Sequence, residues 1–194
     1  MHHAAPRLLI MCPIAMGMLF SVSPARAQEA DTGVAIATLS AGALFGEGGH
    51  GSYGASLGYT MSKHLMPFID FSYSPLTSYA FTYGANDNGK GLFTSSLLDL
   101  NGGLKIRFPN KRGNWVPYFG LGAGLLRFAT SNYTSGFSTT ATVNANRDVV
   151  AGNASVGGLY YVTQHIGIEM ELKGYFAQQE HLGRASAGLF FQFP

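Results

Sequence analysis

Residues Ile166–Phe176 read Ile-Gly-Ile-Glu-Met-Glu-Leu-Lys-Gly-Tyr-Phe. Even positions hold Ile166, Ile168, Met170 and Leu172, while odd positions hold Glu169, Glu171, Lys173 and Tyr175. A strict period of two predicts a β-strand with one apolar and one polar face. Three charges of both signs on one face are too many for a strand lying over an ordinary core. They fit a strand whose apolar face meets lipid and whose charged face lines a narrow barrel.

Similar segments fall at 33–44, 52–61, 66–73, 92–108, 115–128, 149–162 and 184–193, which makes eight strands in all. In the second, Tyr53, Ala55, Leu57 and Tyr59 alternate with Ser52, Gly54, Ser56 and Gly58. The third sets Ile69, Phe71 and Tyr73 against Asp70 and Ser72, and the fourth sets Leu98, Leu100, Leu104 and Ile106 against Asp99, Asn101, Lys105 and Arg107. Short turns at 62–64, 109–114 and 163–165 are predicted on one rim. Loops at 46–51, 74–91, 131–146 and 177–183 fall on the other, and the second and third are the longest. A faint repeat links Tyr59-Thr60-Met61-Ser62-Lys63-His64-Leu65 to Tyr160-Tyr161-Val162-Thr163-Gln164-His165-Ile166. Each copy sets an aromatic just before a tight turn, the look of an aromatic girdle at a membrane rim. Gly120-x-Gly122-x-Gly124 lies within a strand with no helix after it, so it is not a phosphate loop.

Composition narrows the class. Charged residues are 11% of the chain, against roughly 25% in a soluble domain. The start reads as a secretory signal: Arg7, an apolar run from Leu8 to Val22 broken by Pro13, and the small-x-small site Ala25-Arg26-Ala27. Removing 27 of the 194 residues leaves 167, at 28–194, one domain's worth. Arg7 and Arg26 leave with the signal, so the 12 basic residues fall to 10 and match the 10 acidic ones. The formal charge of +2 therefore implies no nucleic-acid partner. Cys12 leaves too, which excludes thiol catalysis and disulfides. No apolar run of about 20 residues follows the signal, so a closed barrel is the membrane option.

Alternation alone does not fix which face turns inward, and a soluble ligand-carrying barrel would point its apolar face in. The polar face is mostly Gly, Ser and Asn, aromatics gather at strand ends, and the C-terminus adds a third feature. Ser186-Ala187-Gly188-Leu189-Phe190-Phe191-Gln192-Phe193 resembles the C-terminal signal of Gram-negative outer-membrane proteins. Ser186, Gly188, Phe191 and Phe193 fill its four specified positions, and Pro194 follows where that family usually ends. With the strand count and length, residues 28–194 resemble the small barrels of the OmpA/OmpX type, and the Pro117–Gly124 stretch is similar to that superfamily. The resemblance implies an all-β fold, a closed antiparallel eight-stranded transmembrane β-barrel in the bacterial outer membrane. It also implies recognition by the barrel-assembly machinery and contact with outer-membrane lipid and lipopolysaccharide. It leaves activity open, because such barrels host unrelated functions.

If odd residues of 166–176 face inward, the lumen holds Glu169, Glu171 and Lys173, and the same parity adds Asp70, Asp99, Lys105, Arg107, Arg127 and Arg184. Charges of mixed sign would fill a narrow interior and block a pore. A catalytic alternative rests on His50 and Ser52, two apart on one strand face, with Glu47 nearby. Lipid A 3-O-deacylases use a His-x-Ser pair with a Glu, although at another place in the chain. His50 and His181, helped by Glu47 and Glu180, form the candidate zinc pair once the barrel closes. His64 and His165 read as turn residues. The expectation is a non-enzymatic barrel without a cofactor, with a structural or surface-interaction role carried by the loops at 74–91 and 131–146. Tyr79, Phe81, Tyr83, Tyr133 and Phe137 are the loop aromatics available for a surface ligand.

Overall fold

The computed structural model describes residues 32–46, 49–83, 89–109, 114–135, 140–177 and 181–193. The signal segment with Cys12, and Glu47, Phe137, Glu180 and Pro194, lie outside the described residues. Eight strands run β1 Ala35–Phe45, β2 His50–Tyr59, β3 Leu65–Tyr83, β4 Gly89–Arg107, β5 Trp115–Ser135, β6 Thr140–Tyr161, β7 Ile166–Phe176 and β8 His181–Phe193. Each pairs antiparallel with the next, and β8 closes on β1 through the run from Ala35↔Phe193 to Phe45↔Gly183. Among the described residues no helix is long and apolar enough to cross a membrane, which says nothing of strands.

The pleat sorts side chains as the pattern requires. On β7, Glu169, Glu171, Lys173 and Tyr175 are buried inside, while Ile166, Ile168, Met170 and Leu172 are exposed outside. On β5 the outward run is Trp115, Pro117, Phe119, Leu121, Ala123 and Leu125, followed by Arg127. Ten residue steps at about 3.3 Å, on strands tilted about 40°, make an apolar band about 25 Å tall. That height matches the hydrocarbon a barrel must cross. Tyr59, Phe108, Trp115, Tyr160, Phe191 and Phe193 ring its lower end, where the tight turns lie. Phe45, Tyr53, Tyr73 and Phe176 ring the upper end.

The repeated turns are built alike. Ser62 Oγ accepts from the amides of His64 at 3.3 Å and Leu65 at 3.1 Å. Thr163 Oγ1 does the same for His165 at 3.3 Å and Ile166 at 3.1 Å. The glycines of β4 and β5 answer to close approach. A Cβ on Gly124 would lie 2.3 Å from the carbonyl oxygen of Leu100, and one on Gly103 would lie 2.1 Å from that of Leu121. Side chains there would push the two strands apart.

Two expected loops are corrected. Residues 74–83 continue β3, residues 89–91 open β4, and most of 131–146 belongs to β5 and β6. Strands β3 to β6 are 19, 19, 21 and 22 residues long, against 11, 10, 11 and 13 for β1, β2, β7 and β8. One side of the barrel therefore rises above the upper rim as a four-stranded wall. Beyond lipid neither face of a strand must be apolar, so alternation fades and a Ser/Thr/Asn-rich strand resembles a loop in sequence.

Candidate functional site

Two features stand out: the filled lumen and the wall. Eight of the nine charges assigned to the lumen are there, and all are buried: Asp70, Asp99, Lys105, Arg107, Glu169, Glu171, Lys173 and Arg184. Arg127 is the correction. It points outward at the top of the band, 49% exposed, and makes a two-pronged ion pair to Asp148 at 2.7 and 2.8 Å. The even residues Val116, Tyr118 and Leu126 of β5 take the inside, so the odd Arg127 takes the outside. The lumen is left with four acids and four bases among the described residues.

Seven of the eight charges form one connected layer. Lys105 Nζ donates to Glu169 Oε1 at 2.6 Å and lies 3.2 Å from Glu171 Oε2. It also sits over the Tyr118 ring, 4.4 Å from the centroid. Thr38 Oγ1 donates to Glu169 at 2.6 Å, and the Tyr118 hydroxyl lies 2.7 Å from Glu169 and 3.0 Å from Glu171. Lys173 bonds Asp70. Arg184 reaches Asp70 at 2.7 Å and Glu171 at 3.4 Å. Asp99 accepts from Tyr175 at 2.6 Å and from Asn101 at 2.6 Å, and Asn153 donates to Asn101 at 2.5 Å. Tyr118, Thr38 and Asn153 were not foreseen as members, and Tyr175 and Asn101 were placed on polar faces without a role. Their even or odd places on the inward faces were the available signal. Arg107 lies lower, with one guanidinium nitrogen donating to the Ser62 carbonyl at 3.2 Å.

Apolar plugs cap this layer at both ends. Below lie Ile36, Met66, Val116, Tyr118, Leu159, Tyr161 and Phe190. Above lie Leu44, Leu97, Leu126, Ala151, Tyr175 and Leu182. The gap left among the charges is about 10 Å³, room for about one water. A groove of about 730 Å³ lies on the outward face instead, along Ala41, Met170, Leu172 and Ala187, where it opens to the surroundings. Paired ions between two apolar clusters thus fill the described interior.

The other candidates do not assemble. Ser52 is buried on the lumen side of β2, and His50 shares that face. A lipid in the surrounding leaflet would meet the opposite face. His181 faces outward on β8, so closure puts the two histidines on opposite faces of the sheet, which corrects the zinc pair. No group of three or more His, Cys, Asp or Glu suited to a metal occurs among the described residues. His64 serves its turn, with Nδ1 3.0 Å from the Arg107 carbonyl.

In the wall, the register of β3 shifts between Pro75 and Thr77, which reverses its parity. Tyr79 and Phe81 thereby join Phe93 on the lumen-side face. Tyr79 stacks on Phe93 with centroids 5.1 Å apart and lies 6.1 Å from Phe81. Tyr133 pairs with Leu92 on the outer face. Tyr79, Phe81 and Tyr133 are thus strand residues in ordered rows, the side chain of Tyr83 lies outside the described ones, and Phe137 lies outside the described residues.

No protein-family model and no curated protein matches the chain. Solved structures do. The N-terminal β-barrel domain of Pseudomonas aeruginosa OprF is 17% identical with a TM-score of 0.52, over 84% of this chain and 98% of that one. Neisserial surface protein A is 13% identical with a TM-score of 0.55, over 82% and 96%. Ail of Yersinia pestis, in complex with the heparin analogue sucrose octasulfate, is 15% identical with a TM-score of 0.55, over 84% and 100%. The fold is therefore that of the small eight-stranded outer-membrane β-barrels. At these identities the likeness carries the fold and nothing finer.

Proposed function

We propose that this is a non-enzymatic outer-membrane barrel that acts at the bacterial surface through its four-stranded wall. The observation that carries the reading is the division of the molecule. The lumen is closed by an ion-pair layer between two apolar plugs, and the only large structure off the membrane band among the described residues is the wall. The apolar band and the C-terminal segment support export to the outer membrane, with the tight turns and termini in the periplasm and the wall outside. Phe191 and Phe193 there face outward at the lower girdle, while Ser186 and Gly188 face inward, a strand end suited to the assembly machinery. Lipopolysaccharide is the first molecule the outer row Leu92, Tyr133 and the Arg127–Asp148 pair would meet.

Mass spectrometry of lipid A from cells making the folded protein, beside cells with an empty vector, tests the non-enzymatic part. Identical spectra are expected. A shift by one acyl chain would overturn it and return attention to His50 and Ser52. Trimming both hairpins of the wall to the rim is expected to abolish cell-surface contacts while the barrel still folds.

A further inference from the structure

Among the described residues the wall has two edges without a ladder partner. The β2–β3 ladder ends at Tyr53↔Tyr73, so β3 above that level has no described partner on its β2 side. The β6–β7 ladder ends at Gly152↔Phe176, so the backbone of 140–151 of β6 likewise has no described ladder partner on its β7 side. The adjoining connections at 46–49 and 177–180 hold four residues each and reach at most about 14 Å. An edge of twelve residues is about 40 Å long. Exposed edges are usually blunted by charge or proline. Here β6 has only Arg147 and Asp148, near the base, and residues 74–83 of β3 have only Pro75 at the base. The lumen-side face of the wall also carries apolar groups with no cover, including Tyr79 at 52% and Val143 at 64% exposure.

We infer that the wall pairs with the wall of a second copy of this chain in an opposing membrane. The inference rests on the outward orientation proposed above. The wall contributes four adjacent strands of an eight-stranded curve, so two walls face to face complete a cylinder of the same strand number as the barrel beneath. Strand direction selects the arrangement. Copies in one membrane share their direction, so β6 beside β6 would run parallel. Placing β6 of one beside β3 of another would drive the lower part of that β6 into β2 of the first barrel. A copy descending from an opposing membrane is inverted. Its β6 then lies antiparallel to β6 and its β3 antiparallel to β3, as a two-fold isologous contact demands. The ladder supplies main-chain bonds along both seams. Tyr79, Phe93 and Val143 of each copy become enclosed.

The test uses green and red cells of a non-aggregating strain, each making the protein, counted as mixed pairs by flow cytometry. Thr142 and Asn144 lie exposed on the outer face of the β6 edge. Like charges facing each other across a seam repel, and opposite ones attract. The wild type is expected to raise mixed pairs about tenfold over empty-vector cells, since many weak contacts act together. Cells with T142K/N144K, or with T142E/N144E, should fall to background against their own kind. Lys cells mixed with Glu cells should recover about half the wild-type level. Wild-type cells at background, variants that pair like the wild type, or no recovery in the mixture would each overturn the inference. Heat-modifiable migration on gels checks that every variant is folded. Labelling Asn144→Cys on intact cells with an impermeant maleimide separately reports whether the wall faces outward. Labelled wall with no pairing defeats the inference alone, while an unlabelled wall defeats the reading beneath it as well.

Discussion

Replacing Lys105 with Met tests the lumen most severely. Lys105 is buried at 3% exposure, 2.6 Å from Glu169 and 3.2 Å from Glu171. At an effective dielectric near 20 these gaps correspond to attractions of about 6 and 5 kcal/mol, most of which offsets the desolvation of the three ions. Methionine fills similar volume but strands the acids. Glu171 keeps Lys173 and Arg184, each 3.4 Å away, whereas Glu169 keeps only the hydroxyls of Thr38 and Tyr118 among the described residues. Breaking a buried pair from one side costs about 3–5 kcal/mol. Adding Glu169→Gln removes the stranded charge and should return about half of that loss. The assay is urea unfolding of protein refolded into lipid vesicles, followed by Trp115, the single tryptophan. A loss under about 1 kcal/mol, or a double variant no better than Lys105→Met alone, would refute the tight ion layer.

Other outcomes follow from the same geometry. Leu121→Arg, in the middle of the lipid band and 54% exposed, should destabilise the barrel by about 2–4 kcal/mol, while Asn144→Arg on the wall should leave it unchanged within about 0.5 kcal/mol; both are read by the same urea titration. Phe93→Ala should cost about 0.5–1.5 kcal/mol of stacking with Tyr79, seen as faster amide exchange in the β3–β4 hairpin with no change in the barrel. The Asp148 carboxyl is held below its usual range by its hydrogen bonds from Arg127. A depressed carboxylate pKa gives stability that is present above the unfolded value and lost as pH falls through the folded one. Amide protection factors near Arg127 and Asp148, taken relative to intrinsic exchange at each pH, should therefore fall in acid, and Asp148→Asn should remove the dependence. Planar-bilayer recordings should show no steady conductance above background, and large stable openings would contradict the sealed lumen.

The period of two was enough to place the barrel, because lipid imposes strict alternation within the band. It also placed eight lumen charges, since each sits on the polar face of a clearly alternating strand. Arg127 failed at the edge of that logic. It lies one outward step past Leu125, where the surroundings turn from lipid to water and an outward charge is no longer penalised. The wall was hidden for the same reason: residues 131–135 and 140–146 are freed from lipid, and their Ser, Thr and Asn carry no periodic signal. The register shift beside Leu76 was equally silent, and only it explains why Tyr79 and Phe81 join Phe93. Nothing in the pattern gave the Tyr118 and Tyr175 hydroxyls a role until the neighbouring strands brought carboxylates to them.

The central claim is that charges face in and aliphatic residues face lipid. Apart from Cys12 the chain has no cysteine, so single cysteines at 168 to 172 on β7 and 121 to 125 on β5 can each carry a spin label in lipid vesicles. Accessibility to oxygen, which concentrates in lipid, should alternate with period two: high at 168, 170 and 172 and at 121, 123 and 125, low between them. A pattern with the opposite phase, or uniform exposure to a water-soluble relaxant, would contradict the barrel as described.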